Sequence, residues 1–124
     1  MLQSNPTNEV EIRKEYYESG DLEREAPYVN GVKHGMLKAY YESGALWYEA
    51  PYVNGKEHGV EKYYAESGAL WIETPYEGGY KQGIEKEYHE SGVLWNEVPF
   101  VNGQRHGIVK SYGVSGALWW EAHM

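Results

Sequence analysis

Gly20, Gly44, Gly68, Gly92 and Gly116 follow one another at a spacing of 24 residues without an insertion or deletion. The same step carries Tyr16, Tyr40, Tyr64, Tyr88 and Tyr112, the lysines Lys14, Lys38, Lys62, Lys86 and Lys110, the leucines from Leu22 to Leu118, and the glutamates Glu25, Glu49, Glu73, Glu97 and Glu121. A period in this range marks a repeat architecture, in which each unit is one supersecondary element that buries its apolar surface only against its neighbours. Residues 10–122 make up five such units, residues 1–9 a loose lead-in, and His123-Met124 a tail outside the pattern.

Within a unit the signals are those of strands and turns. Val10, Ile12, Lys14 and Tyr16 recur at period 2, and the apolar content is mainly Tyr, Trp, Val and Ile. Each unit carries several glycines, and four of them carry Pro27, Pro51, Pro75 or Pro99, which leaves no helical interior of useful length. The pair Ser91-Gly92 and its copies mark a hairpin tip, because a tight turn that matches strand twist needs positive φ. Asn30-Gly31, Asn54-Gly55, Gly78-Gly79 and Asn102-Gly103 mark a looser connection into the next hairpin. Proline near the end of each second strand removes a ladder donor, so pairing is expected to stop or bulge there. The reading is all-β: five hairpins, ten strands, roughly 50 Å from ten strand spacings.

A two-residue tip at Ser91-Gly92 sets Tyr88 opposite Trp95, Lys86 opposite Glu97 and Ile84 near Pro99. A three-residue tip would set Glu85 against Glu97, a like-charge contact that sheets avoid, so the shorter turn is the expectation. The opposite face then receives Glu85, Glu87, Leu94 and Val98, making one face richer in aromatics and the other more acidic.

The net charge is −8, from 19 acidic and 11 basic residues. That balance opposes a sequence-independent phosphate binder, which needs a basic stripe, and it disfavours anionic lipid headgroups. Cysteine is absent, so thiolate zinc sites are excluded and the compartment stays open, with the cytoplasm slightly favoured.

Tyr40-Tyr41-Glu42-Ser43-Gly44 followed by Val53-Asn54-Gly55-Lys56-Glu57-His58-Gly59 resembles the MORN (membrane occupation and recognition nexus) repeat, in which a hairpin tip alternates with an N-G-K-x-H-G connection. The resemblance covers residues 10 to 122. The unit is one residue longer than the usual 23 and has proline in its second strand, which looks like the bacterial form of the repeat, whose members are commonly described as antitoxins. The resemblance implies an elongated, twisted, single-layer antiparallel sheet with a groove that takes peptide or helix segments of partner proteins. It also implies a weaker expectation of lipid attachment.

Trp47, Trp71, Trp95 and Trp119 share one repeat position, held by Glu23 in the first unit. Two strands per unit put successive tryptophans roughly 10 Å apart, and on a single-layer sheet such a row stays partly exposed. It serves either as a ladder of anchors for a partner segment or as packing between neighbouring hairpins. Tyr40, Trp47, Tyr64, Trp71, Tyr88 and Trp95 are the candidate partner-binding residues, and the acidic rims point to a basic or apolar partner segment. Leu118, Trp119 and Trp120 stand in the last strand of the array, so an uncapped edge there is a candidate for self-association as a homodimer or end to end.

Chemistry is not indicated. His34, His58 and His106 recur at the repeat pitch, too far apart to share a metal ion, and are expected instead to hydrogen-bond neighbouring backbone. Carboxylates that recur in every copy opposite a lysine do not resemble a catalytic pair, which would break the repetition at one place. The serines from Ser19 to Ser115 sit in turns with no matching base, and the glycine-rich connections lack phosphate-loop spacing. Neither catalytic residues, nor a metal, nor a cofactor are implied. The function expected is non-catalytic protein binding, with an antitoxin or immunity protein as the alternative.

Overall fold

The structure is a computed structural model that describes residues 9–123. In chain order the strands are β1 (Val10–Tyr16), β2 (Leu22–Val29), β3 (Val32–Lys33), β4 (Gly35–Tyr40), β5 (Leu46–Val53), β6 (Lys56–Glu57), β7 (Gly59–Tyr64), β8 (Leu70–Glu77), β9 (Tyr80–Lys81), β10 (Gly83–Tyr88), β11 (Leu94–Val101), β12 (Gln104–Arg105), β13 (Ile108–Tyr112) and β14 (Leu118–His123). The ten long strands form one antiparallel sheet in the order β1-β2-β4-β5-β7-β8-β10-β11-β13-β14, so every hairpin neighbours the next one in sequence. No helix occurs among the described residues. Of the expected lead-in only Glu9 is described, and His123, placed outside the array by the repeat pattern, pairs with Ile108 inside β14.

The four additional strands come from the connections, which are tighter than their sequence suggested. Asn30 and Gly31 have φ of 53° and 80°, the two positive values that a two-residue hairpin turn needs, and β3 folds straight back on the end of β2. Gly78 and Gly79 do the same in the third unit. Successive connections are bonded to each other: the amides of Gly55, Gly79 and Gly103 donate to the carbonyls of Lys33, Glu57 and Lys81 at 2.8, 2.9 and 2.9 Å.

Proline marks where a long strand changes partner. On the side facing the next unit, β5 pairs with β7 at Tyr48↔Tyr63 and Glu49↔Lys62, and after Pro51 it pairs with β6 at Tyr52↔Glu57 and Val53↔Lys56. Proline has no N–H to leave unpaired at that step, and its carbonyl accepts from the His58 amide at 3.0 Å. Gly59 lies against the ring: a Cβ built there would stand 2.8 Å from Pro51 Cγ, at a φ of +125°. The expectation of a break at each proline holds only toward the next unit, as a switch between two partners; within the hairpin the pairing runs on through Met36↔Pro51 and Gly35↔Tyr52.

The tips differ from expectation, and the difference sets the faces. Ala65 and Ala69 close the third tip, with Ala65 N–H donating to the Ala69 carbonyl and Gly68 N–H to the Ala65 carbonyl, both at 2.9 Å. Three residues, Glu66 to Gly68, therefore turn the chain, with Gly68 supplying a φ of +93°. That turn pairs Tyr64 with Leu70, yet one step later Tyr63 pairs with Ile72 and Lys62 with Glu73. Trp71 is the extra residue of a β-bulge that restores the register. The fourth unit repeats this, so Tyr88 stands opposite Leu94, not Trp95, while Lys86↔Glu97 and Ile84↔Pro99 occur as the alternation predicts.

Gly59→Ala and Gly68→Ala separate the two constraints. Both place a side chain at positive φ, but only the first meets a rigid ring, since nothing lies within 4 Å of a Cβ at Gly68. Gly59→Ala is expected to lower unfolding stability by about 2 kcal/mol or more and Gly68→Ala by about 1 kcal/mol. Urea denaturation of the two variants beside the wild type measures the difference.

Candidate functional site

The register gives the sheet two unlike faces. One carries the rows of Lys, Glu, Pro and the tyrosines Tyr40, Tyr64, Tyr88 and Tyr112. The other holds the most buried side chains among the described residues: Ala26, Leu37, Ala39, Ala50, Glu61, Thr74, Phe100, Val109 and Ser111. The core of this single sheet thus lies on the second face, here called the inner face.

On the outer face, one charge from each long strand forms a row of alternating sign: Lys14, Glu25, Lys38, Glu49, Lys62, Glu73, Lys86, Glu97, Lys110, Glu121. No ion pair closes along this row: none of these neighbours comes within 4.0 Å as a salt bridge among the described residues. The carboxylates are instead hydrogen-bonded by tyrosines of the following hairpin. Tyr40 Oη donates to Glu25 at 3.0 Å, Tyr64 to Glu49 at 2.8 Å, Tyr88 to Glu73 at 2.6 Å, and Tyr112 to Glu97. Burial and then the accepting carboxylate push the Tyr64 and Tyr88 hydroxyls up to about 12.

The inner face is polar at its centre. Tyr48 Oη donates to Glu61 Oε2 at 2.9 Å and reaches Glu57 Oε1 at 3.2 Å, where Tyr52 Oη also donates, at 3.3 Å. Glu57 Oε2 is buried with no hydrogen-bond partner among the described residues, and Glu61 is the acid beside it. Burial, followed by the hydrogen bond to Glu57, raises the Glu61 carboxyl from 4.5 to about 7. The Tyr48 hydroxyl opposes that rise, the Glu57 charge adds to it, and Lys81 opposes it weakly. Further along, Glu85 Oε2 takes Thr74 Oγ1 at 2.7 Å and Lys81 Nζ at 3.0 Å, and Asn96 Nδ2 donates to Glu87 at 3.0 Å while accepting from Ser111. Glu61 and Glu85 accept from the preceding hairpin and Glu87 from the other strand of its own, and among the described residues no group of this network is placed as a nucleophile with a base beside it.

The six expected partner-binding residues divide between the faces. Tyr40, Tyr64 and Tyr88 stand on the outer face with their hydroxyls engaged. Trp47, carried over by the bulge, lies with the inner-face tyrosines, its ring 5.9 Å from those of both Tyr48 and Tyr63 and 6.3 Å from Tyr41. Trp95 stacks on His89 at 5.1 Å. Trp47, Trp71 and Trp95 nevertheless remain 38, 44 and 37% exposed. Tyr41, Tyr48 and Tyr63 were not singled out by sequence, because only the bulge brings them to the tryptophan row. Leu118, Trp119 and Trp120 are all exposed on β14. His34 and His58 behave as their spacing suggests: Nδ1 of His34 accepts from Asn54 N–H at 3.2 Å and that of His58 from Gly78 N–H at 3.4 Å, and Gln82 takes the same role toward Asn102 at 2.6 Å.

A family model for the MORN repeat variant matches residues 12–30, 33–54, 57–77 and 81–102, together more than half of the chain. The chain belongs to the MORN repeat variant family. Neither a curated protein nor a solved structure gives a significant match. The last three matched MORN segments start 24 residues apart, and the fifth hairpin, outside them, repeats the same pairing and the same bulge. MORN repeats are generally binding modules for proteins or lipids and are not a known enzyme family.

The raised Glu61 carboxyl is expected to make the stability of this MORN array dependent on pH. A carboxyl whose folded value is raised from 4.5 to about 7 contributes its full stabilisation below the lower value and loses it as pH rises through the upper one. Wild-type stability is expected to fall between these limits at up to about 1.4 kcal/mol per pH unit. Glu61→Gln keeps an acceptor for Tyr48 and offers a permanent donor to Glu57. It is expected to flatten that slope and to melt above the wild type at about pH 8, as thermal unfolding across the range will show.

Proposed function

We propose that this array is a non-catalytic protein-binding module that holds a partner segment along the row Trp47, Trp71 and Trp95. The observation that carries the reading is what the bulge holds at these positions. The same bulge falls at Glu23 in the first unit, where it serves the register alone, whereas here the extra residue is a large apolar ring on the inner-face side with over a third of it in water. Rigid aromatic side chains presented at regular intervals are the residue type that most often dominates protein interfaces.

The surroundings of the row supply orientation. The tip acids Glu18, Glu42, Glu66 and Glu90 recur at the same period and are exposed, so a segment with basic residues beside its apolar ones is favoured, and anionic lipid headgroups are opposed. In this reading Tyr40, Tyr64 and Tyr88 join successive hairpins from the other face and are not contacted by the partner.

A pulldown from source lysate with the wild type, with Trp71→Ala/Trp95→Ala and with Tyr64→Phe/Tyr88→Phe tests this, each protein first checked for strand content by circular dichroism. The folded tryptophan variant is expected to bind the captured partner at least about tenfold more weakly, and the tyrosine variant as the wild type does. Equal capture by the wild type and the tryptophan variant would refute the row as the binding surface.

A further inference from the structure

We propose that copies of this chain join head to tail, with β14 of one copy pairing with β1 of the next in the register that already joins hairpins within the chain. The outer strands of the described sheet are β1 and β14, and each displays half of an interface that the molecule makes four times internally. At every internal joint a glutamate faces the lysine of the next hairpin: Glu25↔Lys38, Glu49↔Lys62, Glu73↔Lys86 and Glu97↔Lys110. The same glutamate accepts a hydroxyl from the tyrosine two residues beyond that lysine.

At the two ends these partners are separated. Among the described residues Tyr16 is the tyrosine of its row that has no preceding hairpin, and it is 57% exposed. Among the described residues Glu121 is the glutamate of its row that no tyrosine of a following hairpin reaches. Carrying the internal register across the joint sets Glu121 opposite Lys14 and Trp120 opposite Glu15 of the next copy, and brings the Tyr16 hydroxyl to Glu121. Ile12 on one edge and Leu118 and Trp120 on the other, 49, 53 and 47% exposed, would be covered by the joint.

The alternating charge row decides the polarity of the joint. It begins with Lys14 and ends with Glu121, so head-to-tail pairing continues the alternation. Two-fold pairing of equivalent edges at this position would set Lys14 against Lys14 or Glu121 against Glu121, a like-charge contact directly across strands. A second internal contact is absent from the joint, because Gly113 lacks the side chain with which Tyr17, Tyr41 and His89 reach the carbonyl of the next hairpin. That contact is dispensable, since Ala65 lacks it as well and the joint between β8 and β10 forms nonetheless. A joint of this kind uses two different surfaces, so each added copy leaves one of each exposed and the assembly stays open.

Sedimentation velocity over a concentration series tests the proposal on the full chain. The wild type is expected to grow past two chains as concentration rises. Lys14→Glu and Glu121→Lys, each alone, place like charges at the joint and are expected to weaken it by about tenfold. Their equimolar mixture is expected to regain growth, because each variant then offers the charge that the other needs. A wild type that stays a single chain throughout, a two-chain limit that Lys14→Glu leaves unchanged, or a mixture no more associated than its components would overturn the proposal. Should a reversal reduce the strand signal in circular dichroism, Lys14→Gln and Glu121→Gln replace it, and assembly equal to the wild type would then refute the joint.

Discussion

The extra residue at the tryptophan position governs the arrangement of everything else in the sheet. A three-residue tip leaves the two strands of a hairpin one residue out of step with the lysine-to-glutamate register. Trp71 and its copies absorb that residue, so the tip can be tight while the strands beyond it pair Lys62 with Glu73. Because side chains alternate with period 2, the same correction decides which face receives Tyr63, Thr74 and Glu61 and which receives Tyr64 and Glu73. Without the bulge the polar inner face and the charged outer face would exchange members between the tip and the base of every hairpin.

Two kinds of contact then hold one hairpin to the next. Main-chain pairing between hairpins is short, two residue pairs at each joint, because the long strand leaves its downstream neighbour at the proline and takes up its own connection. Side chains extend the joint on both faces: tyrosine hydroxyls on glutamates outside, and the Tyr48–Glu57–Glu61 and Thr74–Glu85–Lys81 networks inside. Such networks specify one arrangement when every member is satisfied, and they become sensitive to protonation where two carboxylates meet. Stability built from nearest neighbours in this way is what a linear repeat array requires.

Much of this was legible before any coordinates. Five exact copies of Lys, Tyr, Gly, Leu and Glu at one spacing determine five hairpins, since no other element fits that glycine and proline punctuation. The pairing of Lys86 with Glu97 followed from avoidance of like charges, and the bridging role of His34 and His58 from the repeat pitch. The tip has three residues where the sequence pointed to two, because a two-residue turn without a bulge and a three-residue turn with one give the same register below the bulge.

What only the tertiary structure decided is what lies on each side of the sheet and how each group is solvated. The sequence by itself determined the repeat, the strand order and the sign of every charge along the row, because these depend on local spacing and on short-range pairing. It did not determine that the tryptophans and the tyrosines Tyr40, Tyr64 and Tyr88 would part company, that the Lys–Glu row would be held through tyrosine hydroxyls, or that Glu57 and Glu61 would meet. Those outcomes depend on where one bulge turns one side chain and on which strands then close around it, and both are properties of the packed sheet.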